Sequence, residues 1–93
     1  MDKKELINYL KEEGFSDEIV SAFSKVKRED FIPKEYKNMA YENYPVPIGE
    51  NATISQPYTI AFMLDLLDLK DDLKILEVGS GSGYVLALIN EIS

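Results

Sequence analysis

The sequence predicts an α/β protein of the doubly wound type, and three observations carry that prediction. A short apolar run at Ile75 and Leu76 passes through Glu77 and Val78 into alternating glycines at 79, 81 and 83. A second apolar stretch at helical spacing follows, from Val85 to Ile92. Upstream, Ile60, Met63, Leu64 and Leu67 recur at i, i+3, i+4 and i+7, the stripe of a helix that buries one face. Strand, glycine loop and helix is the order in which such a fold opens its first nucleotide-binding unit. Glycine suits the loop because it turns sharply and lets a ligand approach the main chain more closely than any β-carbon permits.

The elements before that unit can be justified in order. Asp2 followed by Glu5 reads as a capping box, Leu6, Ile7 and Leu10 share one face, and Gly14 is placed to end the helix. Ser16 starts a second helix with Asp17 and Glu18 in its first turn, where acids complement the helix dipole. Phe15 and Val20 have the spacing of a hydrophobic staple, and Ile19, Val20, Phe23 and Val26 form a buried stripe. These two helices read as a packing appendage without chemistry of their own. The pattern breaks over 27–33, where Pro33 holds Ile32 extended, and 33–40 reads as one short helical turn and a loop. Gly49, Glu50 and Asn51 are a turn signal, so 46–48 is expected to pair with 52–55 in an irregular hairpin. Pro57 suits the first turn of the next helix, where its missing N–H costs nothing, and 70–72 leads back into a strand over 73–78. The chain thus divides into a helical segment, 1–43, and a second part, 44–93, holding the hairpin, a helix and the strand–loop–helix unit.

Composition narrows the chemistry. With 93 residues, 45% hydrophobic and 29% charged, the chain has room for one small globular domain with a modest core. No apolar run reaches the length of a membrane span and the amino terminus is not a signal peptide, so no membrane association and a cytoplasmic location are expected. There is no cysteine and no histidine. That removes the thiolate and imidazole metal ligands, the cysteine nucleophile and the usual general base, and no metal site is expected. Residues 1–40 carry a net charge of −1 and residues 41–93 a net of −6. An acidic chain makes a poor partner for nucleic acid, whose phosphates need clustered Lys and Arg. Lys25, Lys27 and Arg28 are the one basic cluster, followed at once by Glu29 and Asp30, and they read as a solvated helix end.

The glycine spacing is G-x-G-x-G, and Tyr84 stands where a dinucleotide fingerprint would need its third glycine. Glu77 lies two residues before the loop; its carboxylate would oppose a pyrophosphate but suits a ligand carrying an amine and a sulfonium. The pattern E-x-G-x-G-x-G resembles the first motif of class I S-adenosylmethionine-dependent methyltransferases. Three stretches then sharpen the resemblance. Pro47-Ile48-Gly49-Glu50-Asn51-Ala52-Thr53-Ile54-Ser55-Gln56-Pro57-Tyr58 resembles the substrate-side motif of protein-L-isoaspartate O-methyltransferases. Arg28-Glu29-Asp30-Phe31-Ile32-Pro33 is similar to that family's upstream motif, and residues 77–84 resemble its cofactor loop.

The resemblance implies a truncated Rossmann-like methyltransferase fold within the α/β class, with S-adenosylmethionine as cofactor. It implies isoaspartyl-containing proteins or peptides as partners: the free α-carboxylate is methylated, and the ester collapses to a succinimide that reopens partly as normal aspartate. By motif, Ser55 takes the place of the active-site serine, and Thr53, Ile54 and Ser55 line the isoaspartyl pocket. Gln56 and Tyr58 approach the methionine end of the cofactor, although relatives commonly have histidine where this chain has Tyr58. Glu77, Gly79, Ser80, Gly81 and Gly83 form the cofactor cradle. Without histidine, Ser55 is no triad-type nucleophile. Two roles stay open for it: a hydrogen bond orienting the substrate carboxylate, or a cap on the helix that starts at Pro57.

Family members are more than twice this length, so the resemblance implies an amino-terminal part of such an enzyme. An acidic residue about 20 positions beyond the loop, which grips ribose hydroxyls in this kind of unit, would lie past Ser93. The strand over 73–78 would then have unpaired edges, open to self-association. The 93-residue chain alone is expected not to turn over. Two other readings remain beside this one: a class I methyltransferase with another acceptor, and a non-catalytic oligomerising module.

Overall fold

A computed structural model describes residues 1–49, 52–67 and 83–92. Helix α1 (Lys3–Glu12) starts with the capping box the sequence predicts. The Glu5 N–H donates to Asp2 Oδ1 at 2.8 Å, and the Asp2 N–H donates back to Glu5 Oε1 at 3.0 Å. It ends in a paired-amide stop. The Gly14 N–H reaches the Lys11 carbonyl at 3.1 Å and the Phe15 N–H reaches that of Leu10 at 3.4 Å. Gly14 sits at φ +92°, a left-handed value that glycine takes without penalty. Two residues later the Ser16 hydroxyl accepts the Ile19 N–H at 3.3 Å and opens α2 (Asp17–Lys25).

Between α2 and the hairpin the chain forms two 3₁₀ helices, Arg28–Phe31 and Lys34–Met39. The second occupies the span where the sequence suggested a short turn and a loop. Ile32 is extended before Pro33, at φ −118° and ψ 137°, and its side chain is buried. Strands β1 (Val46–Gly49) and β2 (Ala52–Ile54) pair antiparallel, with Val46 opposite Ile54 and Pro47 opposite Thr53. The register slips between Pro47 and Gly49, and Gly49 takes φ +104° at the slip. Val46 and Ile54 turn inward, whereas Thr53 and Ser55 face solvent, as a period of two requires.

Helix α3 (Pro57–Leu67) begins with proline in its first turn, and the Gln56 carbonyl accepts the Ile60 N–H at 3.2 Å. Ile60, Ala61 and Leu64 are buried and Met63 half-buried, which matches the predicted stripe; the Leu67 side chain lies outside the described residues. Helix α4 (Tyr84–Ile92) buries Tyr84, Val85, Leu88 and Ile89. The predicted strand over 73–78 also lies outside the described residues.

The two amino-terminal helices are not an appendage. α1, α3 and α4 all pack on α2, and the buried residues form one core from Leu6 to Ile89. The reason is that α2 is apolar around much of its circumference: Ile19, Val20, Ala22 and Phe23 are all buried, so it has more than one face to cover. The buried face of α4 meets α2, with Phe23 and Tyr84 edge to face at 6.3 Å between ring centroids. Nothing in the sequence pointed to α2 as a partner of α4. Among the described residues no helix is long and apolar enough to cross a membrane.

A polar clip fastens the start of the chain to this core. The Met1 amine pairs with Glu42, the Lys3 ammonium lies 5.7 Å from the Tyr41 ring centroid, and the Tyr41 hydroxyl donates to Glu29. Partial burial alone would raise the Glu29 carboxyl, but the hydrogen bond from Tyr41, together with a main-chain hydrogen bond and the Lys3 and Lys27 ammoniums, holds that carboxyl below its ordinary 4.5.

Two outcomes follow from this packing. Phe23→Ala should cost about 3–5 kcal/mol, enough to unfold a marginal domain, as read by urea denaturation; a loss under about 1 kcal/mol would show that α2 and α4 do not share a core. Tyr41→Phe should cost about 1 kcal/mol at pH 7, a modest figure because the Glu29 pair is partly exposed. A carboxyl held low in the folded state stabilises above its unfolded value and loses that contribution as pH falls through its folded value. The gap between Tyr41→Phe and the parent should therefore close below pH 4.5, the ordinary value for Glu29. A gap that stays constant down to pH 3 would count against the Glu29 pairing.

Candidate functional site

Two of the predicted site segments, ending at Ser55 and at Gly83, are joined by a side chain that the charge pattern placed in solvent. Lys25 and Lys27 are exposed, but Arg28 is 0% exposed. The cause is local. Helix α2 stops at Val26, which is extended at ψ 129°, and Lys27 continues extended at ψ 99°. Side chains then alternate, so Val26 and Arg28 turn inward while Lys27 turns out.

Inside, Arg28 touches two segments far apart in sequence. Its Nη2 donates to the main-chain carbonyl of Ser55 at 3.0 Å. Its guanidinium carbon lies 5.1 Å from the centroid of the Tyr84 ring, within cation–π range. Phe31, on the same 3₁₀ helix, packs on Tyr84 at 5.5 Å between centroids. A β-carbon built on Gly83 would meet Phe31 Cε1 at 3.8 Å, so Phe31 also backs the end of the glycine loop. The end of β2 and the start of α4 are thus tied together through Arg28.

The electrostatics show what this tie costs. Arg28 Nε and Nη1 are buried and find no hydrogen-bond partner among the described residues. Burial pulls the Arg28 pKa down, and among the described residues the phenols of Tyr84 and Tyr41 oppose it. In return, burial pushes the Tyr84 phenol up to about 12 even though the adjacent guanidinium favours its ionised form. A guanidinium stays charged at any ordinary pH, so this is a buried cation steadied by a carbonyl and an aromatic face.

Ser55 sits immediately after β2, with its side chain exposed and its carbonyl pinned by Arg28. Its hydroxyl is not what caps α3. The Asn43 Oδ1 accepts the Tyr58 N–H at 3.0 Å, and this cap comes from fifteen residues upstream. Thr53 is exposed on the same side of the strand as Ser55, so two hydroxyls face solvent together. Ile54 lies between them with its side chain in the core, opposite Val46, and leaves only main chain to that surface.

Gln56 is half-buried at the start of α3. The Tyr58 ring packs against Phe15 at 5.4 Å, Tyr9 at 6.4 Å and Phe62 at 6.4 Å. These contacts put Tyr58 in an aromatic group formed by α1, the turn after it and α3, separate from the group around Tyr84. Gly83 is left-handed at φ +79°, and its carbonyl accepts the Ala87 N–H at 3.0 Å as α4 begins. Glu77, Gly79, Ser80 and Gly81 lie outside the described residues. Arg28 and Asn43 are the residues the sequence missed. Arg28 carried a signal, since it opens the 28–33 motif and follows Val26 at a spacing of two; Asn43 carried none.

Comparison with known proteins follows the same outline. A protein-L-isoaspartate O-methyltransferase from Petrotoga mobilis is 50% identical over 93 residues, covering 98% of this chain and 44% of that protein. One from Dictyoglomus turgidum is 49% identical over 92 residues, covering 98% of this chain and 42% of its own length. A solved structure titled protein-L-isoaspartate O-methyltransferase superposes with a TM-score of 0.87 at 30% identity, over 98% of this chain and 30% of that one. The described helices and hairpin therefore belong to that methyltransferase fold, and the chain spans less than half the length of the relatives it matches. The family model for protein-L-isoaspartate(D-aspartate) O-methyltransferase matches residues 1–93 from end to end, and the chain belongs to that family.

Proposed function

We propose that this chain forms the acceptor-side wall and the exit of the cofactor loop in an enzyme that methylates the α-carboxylate of isoaspartyl residues. Segment 1–43 supplies the supporting helices, and segment 44–93 carries the groups that meet substrate and cofactor. One observation supports the assignment above the others. The Ser55 hydroxyl is exposed and is not spent on capping α3, which Asn43 caps, while its main chain is held in place from beneath by Arg28.

The chemistry asks little of the protein beyond placement. S-adenosylmethionine, when bound, would supply a methyl group on a cationic sulfur; the carboxylate oxygen would gain the C–O bond, the C–S electron pair would stay on sulfur, and no proton would need to move. A site without histidine is adequate for such a step. The groups on this chain have three tasks: to hold the isoaspartyl carboxylate, to orient it, and to keep water away. Ser55 and Thr53 donate hydrogen bonds to the carboxylate from one face of the strand end, and the Ile54 main chain completes the pocket edge. The left-handed Gly83, backed by Phe31, fits a loop whose main chain approaches a ligand closely. With Gln56 on one side and Glu77, Gly79, Ser80 and Gly81 in the loop, it would hold the cofactor. Tyr58 supports this wall through its aromatic neighbours.

Ser55→Ala, in a polypeptide of the relatives' length that carries this chain, should slow methylation of an isoaspartyl peptide about tenfold to a hundredfold, the worth of one hydrogen bond to a charged group. Affinity for S-adenosylhomocysteine, measured by calorimetry, should stay essentially unchanged. Full turnover in the variant would remove Ser55 from the site, and a parent protein that leaves isoaspartyl peptides unmethylated would remove the proposed function.

A further inference from the structure

We infer that Arg28 is a positioning residue for methyl transfer, setting the acceptor end through the Ser55 carbonyl and the cofactor-loop exit through the Tyr84 ring. The inference rests on the function proposed above and adds to it a residue that touches neither substrate nor cofactor.

Among the described residues, Arg28 lacks the usual partners of a buried cation. A fully buried guanidinium pays a large desolvation cost, which carboxylate partners normally offset. Arg28 has none among the described residues: Glu29, its neighbour in sequence, accepts from Tyr41. Two of its three nitrogens find no acceptor there either. Such a side chain is a poor source of stability, because well-packed apolar residues replace buried charges at little or no cost.

Its geometry is better suited to placement. The planar fork fixes direction in a way a point charge does not. One nitrogen holds the Ser55 carbonyl at 3.0 Å, and the central carbon of the same group lies over the ring of Tyr84, the residue after Gly83. Through one rigid group, a movement of the loop exit is transmitted to Ser55, and the reverse. Methyl transfer needs that relation, since acceptor oxygen, methyl carbon and sulfur must be in line. Phe31 packs on the same ring and cannot substitute, because it offers no donor to Ser55.

The test compares Arg28→Met and Arg28→Lys with the parent, in a polypeptide of the relatives' length carrying this chain, reading kcat, peptide KM and thermal midpoint together. Arg28→Met should keep its thermal midpoint within a few degrees, or raise it, while kcat falls about a hundredfold, the scale on which a displacement of about 1 Å acts. Arg28→Lys keeps the charge but loses the fork, and should lose about tenfold in kcat, with the peptide KM of both variants within about threefold of the parent. An Arg28→Met protein that unfolds, or whose rate falls only in step with its stability, overturns the inference, and so does Arg28→Lys at full rate. A parent protein without isoaspartyl methylation removes the functional reading and the inference with it; an active parent with unaffected variants removes the inference alone.

Discussion

The relative placement of the strand end at Ser55 and the helix start at Tyr84 depends on a buried cation held between a carbonyl and an aromatic ring. Arg28 lies at the junction of three segments: the 3₁₀ helix that carries it, the strand end at Ser55 and the helix start at Tyr84. None of these segments is regular enough to fix its neighbours by backbone hydrogen bonding alone. The hairpin is two short strands with a register slip, and a two-stranded hairpin is marginal by itself. The side chains around Arg28 supply the missing constraint. Tyr84 is enclosed by Phe23, Phe31 and Arg28, so the start of α4 is fixed by α2, by the 28–31 turn and by the strand end at once.

The helical frame makes that burial possible. α1 and α2 are capped by their own local sequence, at Asp2 and Glu5 and at Ser16. α3 is capped differently, by Asn43 from the loop before the hairpin. That long-range cap has a chemical consequence. A serine at the end of β2 would ordinarily be drawn into capping the next helix, and Asn43 leaves the Ser55 hydroxyl available to a ligand. Structure and proposed chemistry meet there: one polar side chain satisfies the helix and the other stays exposed.

Much of this was legible in the sequence, and what was legible was local. The capping box, the Gly14 stop, the Ser16 cap, the hairpin and the proline start of α3 each follow from residues within about four positions of one another. The solvent-facing Thr53 and Ser55 follow from strand alternation. What the sequence hid was which faces meet. α2 was read as peripheral because its stripe showed that it buries something, but not that α1, α3 and α4 are what it buries. Arg28 was read from its charged neighbours, whereas its burial comes from the extended backbone at Val26 and Lys27 and from partners 27 and 56 residues away. Motif resemblance captured Arg28 as part of a pattern without giving a physical reason for it.

Arg28 and Tyr84 interact as a unit. A double-mutant cycle on stability measures that directly, using Arg28→Met, Tyr84→Leu and the double variant in denaturant unfolding. The coupling energy should be about 1–2 kcal/mol, the range for a desolvated cation–π pair, with Tyr84→Leu costing less when Met occupies position 28. Additive effects, with a coupling within about 0.3–0.5 kcal/mol of zero, would contradict it.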